Sequence, residues 1–157
     1  MKILCAAVLV AATVVWSPAP ASASASAPTV VDCSTGPVTL RGVDASYTLT
    51  GACSKVTVRG SGLKVTLTSA RSVTLKGSNT VLRTRRPGTV RVVGSSNKVT
   101  ADRGSVLTLR GAANKATYQR LAKVTVRGSS NKVVVRTGRT SVKVVGAANV
   151  IRVAKRR

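Results

Sequence analysis

The feature of this sequence that most restricts its fold is a glycine that returns every 17 or 18 residues. Seven such glycines occur along the chain: Gly42, Gly60, Gly77, Gly94, Gly111, Gly128 and Gly146. Most are followed by Ser or Ala and then by Asn, as in Gly94-Ser95-Ser96-Asn97. A fixed short period of this kind indicates that the chain is built from stacked copies of one small unit.

Within each repeat, apolar residues alternate with polar ones. The residues four and two positions before each glycine are aliphatic, as Val124 and Val126 are before Gly128. A second alternating run follows the turn, for example Val133 and Val135. A period of two is typical of a strand with one buried face. Each repeat is therefore predicted to form a strand, a Gly-Ser-Asn turn, a second strand and a second corner.

The third repeat departs from this pattern. Its turn reads Gly77-Ser78-Asn79, one residue shorter than Gly94-Ser95-Ser96-Asn97. Its second strand, residues 81–84, runs directly into Arg85-Arg86-Pro87-Gly88. We therefore expect an irregular coil here, with Pro87-Gly88 forming the corner.

Two all-β architectures could use such a repeat. In a β-solenoid each repeat is one coil whose strands pair in parallel with equivalent strands above and below, whereas a barrel or sandwich would pair neighbouring strands as hairpins. The solenoid is favoured because stacking places aliphatic on aliphatic and Asn on Asn, where an inward Asn can bond the corner backbone of the next coil. The prediction is a single all-β domain, a β-solenoid of about seven 17–18-residue coils with parallel stacked strands. The predicted structural turn residues are Gly60, Gly77, Asn79, Gly94, Asn97, Gly111, Asn114, Gly128, Asn131, Gly146 and Asn149.

The first 25 residues have the three parts of a secretory signal. A positive start at Met1-Lys2 precedes an apolar run over residues 3–16, and Ala-Ser alternation follows at 21–25. Cleavage is expected after Ala23 or Ala25, and the repeated motif leaves that choice open. The run is shorter than the ~20 apolar residues of a membrane span, which disfavours a membrane anchor, and no later segment is long enough. We expect a secreted or cell-envelope protein with a lead-in or cap at 26–37, a β-repeat domain at 38–154 and a basic tail at 155–157.

Removal of the signal leaves two cysteines. Cys33 and Cys53 lie nine and seven residues before Gly42 and Gly60, the glycines of their repeats. Stacking would bring them together on adjacent coils, and an exported protein meets an oxidising compartment. A Cys33–Cys53 disulfide is predicted, with two buried free thiols as the alternative.

The stretch from Cys33 to Asn149 resembles a family of secreted actinobacterial domains, number 3060 in the series of domains of unknown function. The resembling features are Cys33, the segments 49–53 (LTGAC) and 56–58 (VTV), and the recurring Gly-Ser-Asn-x-Val turns. This chain departs from the pattern at Ala45 and Leu63, where a turn Asn is expected, and in its high Lys and Arg content. The resemblance implies an exported β-rich domain. It implies no activity and no catalytic residues.

The composition excludes most enzyme chemistry. The sequence contains no His and three acidic residues, Asp32, Asp44 and Asp102. Triads that need His, His-based zinc sites and paired-carboxylate sites therefore have little to be built from. We expect no catalytic residue, no metal and no cofactor. A polysaccharide-lyase-like enzyme using Asp102 beside Arg103 is a distant alternative.

The formal net charge of +23 is the strongest functional signal. Basic residues recur one position before the glycine and four positions after it, on the outward parity of the strands, so stacking would align them into ladders. The candidate binding residues are Arg41, Arg59, Lys64, Lys76, Lys98, Arg110, Lys115, Arg127 and Lys132. The expected partners are acidic polymers: cell-wall polymer, anionic lipid, nucleic acid bound without sequence specificity, or acidic glycan. Charge that serves only solubility, and an envelope scaffold assembling through the solenoid ends, are the alternatives; the oligomeric state stays open.

Overall fold

The computed structural model describes residues 27–34 and 36–154. It contains ten strands, and all of their pairings are parallel. The strands are β1 Thr29–Asp32, β2 Val38–Val43, β3 Ser46–Ser61, β4 Lys64–Ser78, β5 Val81–Val93, β6 Lys98–Arg110, β7 Lys115–Arg127, β8 Lys132–Val135, β9 Ser141–Val145 and β10 Val150–Val153. The predicted signal peptide (1–25) and basic tail (155–157) lie outside the described residues.

Equivalent positions of successive repeats stack in register, as the repeat predicts. Along one column Val56 pairs with Val73, Val73 with Val90, and Val90 with Leu107. Each of the long strands β3 to β7 follows the chain from one glycine turn to the next, around a second corner. The predicted β-solenoid of about seven coils is confirmed.

The core is the interior of the coil. Along β7 the buried side chains are Ala116, Tyr118, Leu121, Val124 and Val126. These positions are two residues apart within each straight part of the strand and three residues apart on either side of Leu121. The second corner therefore has an inward position of its own, which strict alternation did not predict.

The two 18-residue repeats place their extra residue at this second corner. Between β3 and β4 the register shifts between Leu49 and Ala52, next to Gly51, which has φ +80°. In the last repeat the extra residue falls between β8 and β9, where Gly138 has φ +100°. The glycine turns themselves keep a constant length.

The prediction of a shortened third turn was wrong. Val81 pairs with Lys98 and Val93 with Arg110, so the third and fourth coils match residue for residue. Thr80, not Asn79, takes the inward position of Asn97, while Asn79 occupies the left-handed position with φ +53°. Pairing between β5 and β6 pauses at residues 85–88, where Pro87 has no N–H to donate, and resumes in the same register.

The column of repeat glycines is a steric requirement of close stacking. A Cβ on Gly77 would meet the carbonyl oxygen of Gly60, and a Cβ on Gly94 would meet that of Gly77. The same holds down the column to Gly146, which faces Gly128. Glycine is thus required at these turn positions for a second reason: the backbones of adjacent coils approach too closely to leave room for a side chain.

The last coil leaves part of its interior uncovered among the described residues. Val142 and Val144 occupy the column of the fully buried Val124 and Val126, yet they are 42% and 41% exposed. At the other end, the segment predicted as a lead-in contains β1, which pairs with residues 47–50 as one more rung of the ladder.

Near this first rung the predicted disulfide is confirmed. Cys33 and Cys53 are bonded, with their Cα atoms 4.7 Å apart and both side chains buried. The disulfide links the connection between β1 and β2 to the second corner of the next coil.

Candidate functional site

The first column of candidate residues lies one position before the repeat glycines, at the ends of β2 to β7 and β9. Pairing aligns it in register as Arg41, Arg59, Lys76, Val93, Arg110, Arg127 and Val145. All five cations are exposed. We call this the upstream column.

The second column lies four positions after the glycines, where the next strand begins. It reads Ser46, Lys64, Val81, Lys98, Lys115, Lys132 and Val150. All four lysines are exposed. We call this the downstream column; the two columns flank the stacked turns, whose outer residues are mostly Ser and Ala.

An Asn ladder fixes the last four of the stacked turns that separate the two columns, at Asn97, Asn114, Asn131 and Asn149. The side chain of Asn114 donates to Gly94 O at 2.8 Å and to Asn131 Oδ1 at 3.0 Å. Asn131 repeats this with Gly111 O and Asn149 Oδ1. Because these amides are hydrogen-bonded from coil to coil, the backbone that carries the cations is held at a regular spacing.

That spacing places like charges close together. Adjacent parallel strands lie ~4.8 Å apart, and two unit charges at that separation repel by ~0.9 kcal/mol in unscreened water. Val81 and Val93 interrupt the two columns on the fourth rung, which relieves the repulsion there. Lys98, Lys115 and Lys132 nonetheless form an unbroken run of three.

The interruption at Val93 opens a shallow notch. It is lined by Thr74, Lys76, Arg91, Val93 and Arg110. Lys76 and Arg110 stand above and below Val93 in the upstream column, and Arg91 approaches from the same strand. Three cations therefore surround a gap of one side chain.

A larger cationic groove lies at the second corner, away from both columns. It is lined by Arg85, Arg86, Asp102, Arg103, Gln119, Arg120 and Thr137 and encloses about 530 Å³. We call it the arginine groove. The sequence places its arginines at the second corner as further cations, but they are not among the predicted binding candidates. The spacing of Arg86, Arg103 and Arg120, 17 residues each, was the available signal.

The three acidic residues lie at different places in the fold. Asp32 accepts hydrogen bonds from the backbone N–H and the hydroxyl of Ser34, and the backbone bond is the larger cause that lowers the pKa of this carboxyl. Asp44 lies in the first glycine turn with φ +49°, and Asp102 lies in the arginine groove. Within residues 27–34 and 36–154 no group of three His, Cys, Asp or Glu could hold a metal ion.

The aromatic residues of the described part of the chain offer no platform for stacking bases. Tyr118 is fully buried, as its inward position predicts, and burial raises the pKa of its phenol. Tyr47 is half-buried and donates its hydroxyl to Arg41 O at 2.8 Å. These are the tyrosines of the part of the chain that the structure describes.

Comparison with known proteins gives one match. Residues 40–87 match the model of a family described as Protein of unknown function (DUF3060). The DUF3060 stretch runs from within β2 to Pro87 in β5 and includes Cys53. This supports, over that stretch, the resemblance drawn from the sequence. DUF3060 carries no activity to transfer, and no curated protein and no solved structure matches the chain.

Across residues 27–34 and 36–154 there is also no helix with the length and apolar character needed to cross a membrane.

Proposed function

We propose that this protein is an exported, non-enzymatic β-repeat protein that binds acidic polymers through its upstream and downstream columns. The observation that carries the proposal is the in-register alignment of nine exposed cations along the two edges of the stacked glycine turns. A β-solenoid with a DUF3060 stretch is compatible with a repeat protein that has no enzymatic activity.

The physical reason is the energy stored between like charges. A polymer that lies along the columns places its anionic groups between cations that otherwise repel one another. Binding also releases the counterions condensed on a polyanion, which makes the affinity strongly dependent on salt. Since the contacts are to charge alone, nucleic acid would be bound without regard to sequence.

Export is the second part of the proposal. It rests on the charged start, apolar run and small residues of positions 1–25. The Cys33–Cys53 disulfide agrees with it, because disulfides persist in oxidising compartments. The ligands met there would be cell-wall polymers, anionic lipid surfaces, extracellular nucleic acid and acidic glycans.

The test is the salt dependence of binding to a single-stranded polyanion. Six cation contacts would give a slope of log affinity against log salt of about −4. Replacing Lys64, Lys98, Lys115 and Lys132 by Gln should flatten this slope by as much as about 3. These side chains are exposed, so the variant should keep its unfolding midpoint.

A matched control removes the same charge elsewhere. Lys55, Arg71, Lys123 and Arg139 are exposed and lie in neither column. Their replacement by Gln should leave most of the slope in place. If both four-residue variants lose the same share of the slope, the columns are not the site; if the parent does not bind at physiological salt, the proposal fails.

One observation favours the scaffold as a second candidate, namely the exposed interior positions Val142 and Val144. Against it, the two runs of stacked strands in the described part of the chain differ in length, so copies would not fit together by simple end-on stacking. Eight stack along the run that ends at β10, whereas seven stack along the run that ends at β9. If β1 of one copy paired with β10 of another, a gap one strand wide would remain between β2 of the first copy and β9 of the second. Dependence of the sedimentation coefficient on protein concentration would support the scaffold.

A further inference from the structure

We infer that the arginine groove binds one acidic sugar unit of such a polymer. Its arginines would hold the anionic group, and Asp102 and Gln119 would hydrogen-bond the ring hydroxyls. The inference rests on the proposed function for its class of ligand and goes beyond it in assigning a preference for acidic saccharides over polymers that carry charge alone.

The kind and placement of the cations suit an anionic group. All four cations in the groove are arginines, whereas the cations of the downstream column are lysines. Arg103 pairs with Arg120 on the next rung, and Arg86 lies 17 residues before Arg103. A guanidinium presents a planar fork of donors that bonds carboxylate, phosphate or sulfate oxygens in pairs. Three such forks on successive rungs suit charged groups that repeat along a chain.

Asp102 favours a ligand that carries hydroxyl groups as well as charge. An exposed carboxylate among four arginines weakens the attraction for a polymer that offers only negative charge. The same carboxylate accepts hydrogen bonds and donates none, so a ligand that carries hydroxyl donors gains a bond there that a purely anionic group does not. Ring hydroxyls are donors that an acidic saccharide carries beside its charged group.

Gln119 extends this polar side of the groove by one rung. It lies 17 residues after Asp102, as Arg120 does after Arg103, so each rung places a hydrogen-bonding side chain beside an arginine. An amide both donates and accepts. The Thr137 hydroxyl does not have its hydrogen free for a ligand, because it donates to Gln119 O at 2.8 Å.

The dimensions agree with a small unit. A volume of about 530 Å³ falls within the ~300–1,000 Å³ of sites that take small ligands. The arginines span three rungs, about 10 Å along the axis, so neighbouring units of the same polymer could continue past the groove. Without aromatic stacking, each unit would be held weakly and the polymer by repetition.

The test compares two polyanions that differ in their hydroxyls. Polygalacturonate carries a carboxylate and free hydroxyls on every sugar ring, whereas inorganic polyphosphate carries charge alone. Replacing Asp102 by Ala should weaken polygalacturonate binding about fivefold, as expected for a lost hydrogen bond. The same variant should bind polyphosphate more tightly, because a repelling charge is gone. Asp102→Asn, which keeps an accepting oxygen, should recover part of the polygalacturonate affinity.

Asp44→Asn is the charge control, since it removes one negative charge from an exposed turn far from the groove. It should shift both affinities slightly and in the same direction. If Asp102→Ala strengthens binding of both polymers, Asp102 only offsets charge and the inference is wrong. If the parent binds polyphosphate or single-stranded DNA but not polygalacturonate, the inference fails while the proposed function stands. If the parent binds none of these polymers, the proposed function fails.

Discussion

Asn97 donates twice to one atom of Asn114: its backbone N–H and its side-chain amide both reach Asn114 Oδ1, each at 3.1 Å. Both residues are 1% exposed. The turn of one coil is thus fixed by a side chain of the next, in the same geometry at three successive steps of the ladder. The stability of the binding edge therefore depends on residues that no ligand would touch.

Replacing Asn114 by Ala should lower the free energy of unfolding by about 3 kcal/mol, because Asn97 N–H and Gly94 O lose their buried partner. Asn79→Ala is the matched control. Asn79 is exposed at φ +53°, a conformation that Ala113 already adopts at φ +54°. Denaturant unfolding should separate the two variants; similar losses would contradict the role given to the ladder.

The two tyrosines should respond in opposite directions to removal of the hydroxyl. The Tyr118 hydroxyl is buried and has no hydrogen-bond partner, so Tyr118→Phe should raise the free energy of unfolding, by about 1–3 kcal/mol. Tyr47→Phe removes the bond to Arg41 O and should lower it by about 0.5–1.5 kcal/mol. Thermal melts of the two variants would test this. A loss of stability in Tyr118→Phe would mean that the Tyr118 hydroxyl does have a hydrogen-bond partner.

Adjacent residues on one strand should tolerate a carboxylate very differently. Val126→Asp would bury an unpaired charge in the core, which is costly enough to prevent folding of the coil. Thr125→Asp points outward beside Arg127 and should change stability little. Circular dichroism and expression level would distinguish them, and equal damage would show that the alternation has been misread.

Reduction of the Cys33–Cys53 bond should lower stability by about 3 kcal/mol for a separation of 20 residues, in the chain-entropy view of disulfides. The measurement is denaturant unfolding with and without reductant, with a Cys33→Ser/Cys53→Ser variant as the control that reductant no longer affects. Alkylatable thiols in natively purified protein would count against the bond.

Acid should affect this fold through Asp32. The Ser34 donors hold the pKa of its carboxyl below 3.8, so its contribution is fully present above the ordinary value and is lost as pH falls through the lowered one. With three carboxyls and no His in the sequence, melting temperatures should vary little between pH 7 and pH 4. Ser34→Ala should reduce the loss seen below pH 4, since it removes the hydroxyl donor.

The sequence predicted the features that repeat by residue type. Glycines, inward Asn and alternating aliphatics each have a distinct chemistry, so their 17-residue recurrence predicted the coil, the stacking and the disulfide. The third turn was misread because Asn79 matches the motif by identity, although Thr80 fills the inward position by register. Asn tolerates the left-handed conformation, and this allowed the two positions to be exchanged.

The second corner could not be predicted in the same way. Its inward position is filled by Ala70, Pro87, Gly104 and Leu121 on successive coils, and these residues share no property that a periodic search could detect. The arginine groove lies on the outer side of that corner. Its arginines do recur in the sequence, as Arg86, Arg103 and Arg120, but the structure is needed to show that they line one groove with Asp102 and Gln119.

The close stacking of the glycine column also limits how the length of this protein can change. Deleting residues 94–110 would join Val93 to Gly111 and bring Gly111 against Gly77, restoring the same contact one coil earlier. Deleting sixteen residues instead would place a residue other than glycine against Gly77, and its side chain would collide with the Gly77 carbonyl oxygen. Insertions and deletions should therefore be accepted in whole coils, so that the number of charges along each edge can grow or shrink in steps while every remaining contact is kept.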